Sequence, residues 1–161
     1  MTDQILSFED LNEEELSRLG HLLAPLLKAG DFIGLTGKLG AGKSVFARSL
    51  IRTAMGEADL DVPSPTYNLI QPYQPHDPYP EILHVDLYRV EATDEIRELG
   101  LEDAHTSILL VEWPERLGEA LPGYGLIISL QEGSKATLRN ASVLGDKTWD
   151  KRLKNLNLIR V

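Results

Sequence analysis

One octapeptide constrains this chain more than any other feature. Gly37-Lys38-Leu39-Gly40-Ala41-Gly42-Lys43-Ser44 fits G-x-x-x-x-G-K-[ST] at every specified position. A short β-type run, Phe32, Ile33, Leu35 and Thr36, precedes it. Behind it Ala47, Leu50, Ile51 and Ala54 recur on one helical face, and Gly56 suits the helix stop. Strand, glycine turn and helix in that order make half of a βαβ unit. Gly40 and Gly42 leave the backbone bare, so successive N–H groups can close on phosphate oxygens. The helix N-terminus adds partial positive charge there. Lys43 is expected to reach the β- and γ-phosphates, and the Ser44 hydroxyl to ligate Mg2+. The competing reading is a glycine turn that caps a helix and binds nothing. A Lys-Ser pair at the helix start, in the right strand–helix context, argues against it. The segment reads as a P-loop, with Gly37, Gly40, Ala41, Gly42, Lys43, Ser44 and Val45 as its nucleotide-binding residues.

Such a loop needs a carboxylate nearby, and two apolar runs end in one. Ile82-Leu83-His84-Val85-Asp86 delivers Asp86, and Ile108-Leu109-Leu110-Val111-Glu112 delivers Glu112. In an open α/β sheet ligands sit outside the carboxyl ends of the strands, so both can face the phosphates. One would hold the metal and the other orient the attacking water, in either assignment. Val62-Pro63-Ser64-Pro65-Thr66-Tyr67 is an extended loop in which Thr66 has the chemistry of a nucleotide sensor, or of an ordinary strand entry. Trp113 reads from residue type as packing at the sheet edge rather than as a shield for the site. His84 is assigned no role.

The remaining pattern is that of one α/β domain over residues 1–161, with a core at 30–131. Asn12 caps a first helix, with Glu15 completing a capping box and Leu11 and Leu16 as the staple. Pro25 ends that helix near Ala24. Further strands are expected at Thr66–Tyr73, Glu81–Tyr88, Ser107–Trp113, Tyr124–Gln131 and Thr137–Leu144. A short helix at Asp94–Leu99 would be capped by Thr93 and stopped by Gly100, and Pro114 would start a helical turn. Gln71–Pro80, with four prolines, reads as a surface loop. A last helix at Asp146–Leu156 would bury Trp149, Leu153 and Leu156. This order predicts a three-layer α/β fold, its sheet mostly parallel with antiparallel additions near the C-terminus.

Composition narrows the function classes. With no cysteine, disulfides, thiolate metal sites and thiol nucleophiles are excluded. No secretory leader or membrane-length apolar run is visible, so the expected compartment is the cytoplasm. The net charge of −9 disfavours a protein that grips nucleic acid by itself. That average hides a basic stretch, because residues 135–161 carry seven basic and two acidic side chains. The stretch would meet nucleic acid or an acidic partner, or else dock by its apolar side with its lysines solvated.

Taken together, Leu39–Ser44, Ser64-Pro65-Thr66-Tyr67, His84-Val85-Asp86-Leu87-Tyr88-Arg89, Glu98-Leu99-Gly100 and Val111-Glu112-Trp113-Pro114 resemble the TsaE (YjeE) ATPases of bacterial tRNA threonylcarbamoyladenosine biosynthesis. The resemblance implies a P-loop NTPase fold that binds ATP and Mg2+ and hydrolyses ATP slowly alone. It also implies a TsaB–TsaD-type partner complex that is reset by hydrolysis, with tRNA engaged indirectly. By position, Lys43 would bind phosphate, Ser44 and Glu112 would hold Mg2+, and Asp86 would assist the metal or the water. Lys43, Asp86 and Glu112 are thus the expected catalytic residues. Thr66 would belong to a switch loop, and Trp113 would lie beside the site. Lys38, where many relatives carry an acid, would make the loop mouth more positive. Past Leu130 the resemblance ends, and Lys135 and Arg139 are the candidates for a basic contact to the nucleotide. A small P-loop kinase and a non-catalytic nucleotide-dependent binding module are the competing functions.

Overall fold

The computed structural model describes residues 2–156, so the last five residues of the basic stretch lie outside the described residues. In chain order the elements are β1 (Asp3–Leu11), α1 (Glu13–Leu23), β2 (Phe32–Thr36), α2 (Lys43–Met55) and β3 (Ile70–Tyr73). There follow β4 (Ile82–Asp86), α3 (Thr93–Glu98), β5 (Ile108–Glu112), β6 (Leu126–Glu132), β7 (Arg139–Gly145) and α4 (Lys147–Lys154). Short 3-10 turns at Ala24–Leu26, Leu101–Asp103 and Pro114–Ala120 complete the connections. No helix among the described residues is long and apolar enough to cross a membrane.

All seven strands form one sheet in the order β1-β7-β6-β2-β5-β4-β3. Its centre, β6-β2-β5-β4, is parallel. Antiparallel strands close both edges: β7 and β1 on one side, β3 on the other. The late additions therefore have counterparts earlier in the chain. β3 takes up Gln71, Pro72 and Tyr73 from the expected proline-rich loop. Pro72 is tolerated there because an edge strand leaves one side free of ladder bonds.

Alternation along the central strands divides two apolar layers. Ile33, Leu35, Ile82, Ile108, Leu110, Leu126 and Ile128 pack with Leu16 and Leu19 of α1 and Leu50 and Ile51 of α2. Phe32, Val85 and Val111 pack on the opposite face with Leu87, Ile96 and Leu117. Helices on both faces of a parallel centre make the three layers of a P-loop NTPase fold. The register sets Asp86 beside Glu112 and Glu112 beside Leu35, so both carboxylates arrive at the carboxyl ends of the strands, where the P-loop leaves β2.

Candidate nucleotide site

The P-loop conformation is fixed by three glycines at positive φ, Gly37 (146°), Gly40 (78°) and Gly42 (106°), the last serving as N-cap of α2. A Cβ on Gly37 would come within 2.7 Å of the Leu130 carbonyl oxygen, whereas one on Gly40 would meet no protein atom within 4 Å. Gly37 is thus required by packing, and Gly40 by backbone angle and by free approach from outside. Arg139 of β7 ties the loop down from behind, donating to the carbonyls of Ala41 (3.1 Å) and Gly40 (2.9 Å). These bonds brace the loop, and Arg139, a candidate for a basic contact to the nucleotide, does not line the cavity described next. Lys135 is exposed between β6 and β7 and does not line the cavity described next.

A cavity of about 260 Å³ opens above the carboxyl ends of β4 and β5. Of the residues expected from sequence, Gly40, Gly42, Lys43, Ser44, Val45, Thr66, Asp86 and Glu112 line it. Gly37 and Ala41 do not. They line a separate groove of about 570 Å³ on the far side of the loop, together with Lys38 and the end of β6. The positive mouth predicted from Lys38 therefore belongs to that groove.

Lys43 lies buried at the cavity floor. Its ammonium donates to the Gly37 (2.5 Å) and Lys38 (2.8 Å) carbonyls and sits 4.3 Å from the Trp113 ring centroid. Burial pushes its pKa below the usual lysine range, and the charges of Glu112, Glu115 and Asp86 oppose that shift. Trp113 stacks at a tilt on Tyr88, with centroids 5.0 Å apart, and both line the cavity. Trp113 is not edge packing, since β5 is an interior strand.

The two carboxylates differ in what holds them. Asp86 Oδ2 accepts the Thr66 hydroxyl (2.9 Å) and Oδ1 accepts the Tyr88 backbone N–H (2.9 Å). Glu112 uses a single oxygen: Oε2 lies 2.8 Å from His84 Nε2 and 3.3 Å from the Ser64 hydroxyl. Ser64 in turn lies 2.8 Å from Ser44 Oγ, so the Val62–Tyr67 loop is tied both to the P-loop and to β4. Sequence reasoning missed Ser64, Tyr88 and His84. All three stood in segments already singled out, but only three-dimensional proximity reveals their partners.

Hydroxyl and carboxylate oxygens are hard donors. Mg2+ binds through one or two carboxylates together with substrate phosphates and water. No group of three His, Cys, Asp or Glu side chains forms a protein-only cage among the described residues. The donor set of Ser44 and Glu112 fits a phosphate-bridged Mg2+. Asp86, with both oxygens already engaged, fits better as an indirect support.

Residues 11–141 match the model of the family described as "Threonylcarbamoyl adenosine biosynthesis protein TsaE". The chain is 45% identical over 105 residues to the tRNA threonylcarbamoyladenosine biosynthesis protein TsaE of Rickettsia felis, covering 65% of this chain and 60% of that protein's length. It is 35% identical over 137 residues to the TsaE of Mycobacterium tuberculosis, covering 80% of each. The crystal structure of YdiB from Bacillus superposes with a TM-score of 0.73 at 26% identity, covering 99% of this chain and 97% of the other. The match spans most of the chain and every segment that builds the cavity, and the chain belongs to the TsaE family of threonylcarbamoyladenosine biosynthesis proteins.

Proposed function

We propose that the chain is a Mg2+-dependent ATPase subunit of tRNA threonylcarbamoyladenosine biosynthesis, slow alone and acting with a TsaB–TsaD-type complex. The observation that carries the reading is the convergence of Lys43, Ser44, Thr66, Asp86 and Glu112 on one cavity. Lys43 and the bare N–H groups of the loop would bind the β- and γ-phosphates, while Ser44 and Glu112 would hold the metal. Bound Mg2+ would neutralise charge that builds between the β- and γ-phosphoryl oxygens. Ser64 and Thr66 would make the position of the Val62–Tyr67 loop depend on what the cavity contains. Tyr67, exposed at the end of that loop, gives a partner complex something to read. The acidic body favours engaging tRNA through that complex rather than directly, and the absence of cysteine suits the cytoplasm.

Glu112→Ala is expected to keep nucleotide affinity within about threefold while phosphate release from ATP falls by about 100-fold or more. Equilibrium binding of a fluorescent nucleotide and a phosphate-release assay without any acceptor check this. Wild-type hydrolysis that requires a small-molecule acceptor would indicate a kinase, and unchanged hydrolysis in the variant would remove Glu112 from the mechanism. Affinity capture with and without ATP–Mg2+ is expected to recover the TsaB–TsaD-type pair.

A further inference from the structure

His84 is the one buried titratable side chain at the site that the reading above does not use. It is 1% exposed and stands on β4 two residues before Asp86, on the same strand face as Ile82 and Asp86. Nε2 is 2.8 Å from Glu112 Oε2, and Nδ1 is buried without a hydrogen-bond partner. An orphaned ring N–H in the core would cost more than an orphaned lone pair. The geometry therefore assigns the ring proton to Nε2, where it is donated to Glu112.

A second observation gives that bond a purpose. Both side-chain hydrogen bonds to Glu112, from His84 and from Ser64, land on Oε2. Oε1 accepts none among the described residues, and Glu112 lines the cavity. A glutamate has three side-chain torsions to order, so a free Glu112 would sample orientations in which neither oxygen faces the cavity. We propose that His84 is a positioning residue for Glu112: it locks Oε2 against β4 and thereby presents Oε1 to the metal or the attacking water. Ser64 reaches the same oxygen from the Val62–Tyr67 loop and is linked to Ser44. His84 thus anchors Glu112 from β4, and Ser64 anchors it from the Val62–Tyr67 loop. This rests on the ATPase reading for its consequence, though the hydrogen bond itself does not.

Four measurements on the full chain separate the possibilities. In a nitrogen-15 imidazole spectrum, His84 is expected to show a slowly exchanging Nε2–H, assigned by its loss in His84→Gln and shifted in Glu112→Ala. His84→Leu is expected to lower kcat for ATP, and the apparent Mg2+ affinity of the nucleotide complex, by about 10- to 100-fold each. Nucleotide affinity without Mg2+ should stay within about threefold. His84→Gln, whose amide can donate from nearly the same point, should recover most of both losses. A proton on Nδ1, a His84→Leu variant with wild-type kcat and Mg2+ affinity, or Leu and Gln variants that are equally impaired would each overturn the proposal. Should wild-type protein fail to hydrolyse ATP, the ATPase reading falls, and the Mg2+ affinities with the imidazole spectrum still decide the role of His84.

Discussion

At the scale of single residues, the site is a set of side chains restrained by their neighbours. Asp86 has both oxygens engaged by Thr66 and Tyr88, while Glu112 has one engaged and one open. Two acids that look alike at strand ends thus differ in availability, and no rule about strand ends distinguishes them. Trp113 adopts a left-handed backbone (φ 60°, ψ 48°), which costs a bulky side chain of order 1–2 kcal/mol, and its ring covers Lys43. Gly40 allows a direct check that the loop is shaped for a ligand. Gly40→Ala is expected to cost about 1 kcal/mol of stability, because φ is 78° and the protein itself offers no obstruction. Nucleotide affinity should fall at least about tenfold if phosphate must approach that backbone closely. Urea unfolding and nucleotide titration on the same variant separate the two effects, and equal modest losses in both would refute the phosphate contact.

At the scale of elements, local chemistry decided the ends. Asn12 accepts the Glu15 N–H at 2.8 Å while the Glu15 carboxylate takes the Asn12 N–H at 2.9 Å, completing the capping box seen in the sequence. Gly56 and Gly100 stop their helices in the left-handed conformation, at φ 69° and 65°. Thr93 is not a cap: α3 begins at Thr93 itself, with Ala92 at the N-cap and no side-chain cap bond. β1 escaped sequence reasoning because its pairing with β7 shifts register between Gln4 and Leu6 and again between Phe8 and Leu11. Irregularities of that kind break the two-residue alternation by which a strand is recognised. Asp146 caps α4 through the Trp149 N–H (3.0 Å) and also accepts the Gly125 N–H (3.0 Å). Partial burial raises its pKa, but these backbone donors, the Thr148 N–H and the Arg152 charge outweigh that and leave it below the usual carboxylate value. Asp146→Ala should therefore cost about 1–2 kcal/mol near neutral pH, read from urea unfolding. A carboxylate depressed in the folded state stabilises above its unfolded pKa, about 3.9, and loses that contribution as pH falls through the folded value. The gap between wild type and variant should accordingly narrow below about pH 4.

At the scale of the molecule, the C-terminal stretch completes the sheet and covers one layer. β7 pairs with both β6 and β1, and α4 buries Trp149 and Leu153 against the α1–α2 layer. The docked apolar side with solvated lysines is the arrangement found: Lys147, Lys151 and Lys154 are exposed. Arg152 is the exception. It bonds Asp31 at 2.7 Å and the Leu26 carbonyl at 3.2 Å, and its guanidinium lies 4.5 Å from the Trp149 ring. Arg152→Ala would leave Asp31, 9% exposed, without its cation. A loss of about 2–3 kcal/mol is expected from urea unfolding, with positive coupling in a cycle with Asp31→Asn. Additive single effects would refute the latch.

The sequence by itself determined the P-loop, the layer architecture and most helix ends, because each depends on residues within about one turn or on a repeating period. Tertiary structure decided which carboxylate keeps a free oxygen, that Arg139 braces the loop 98 residues before it in the chain, and that His84 on β4 reaches Glu112 on the neighbouring strand β5. Those contacts join positions far apart in sequence. Their formation depends on strand order and register, which β-type runs do not encode singly.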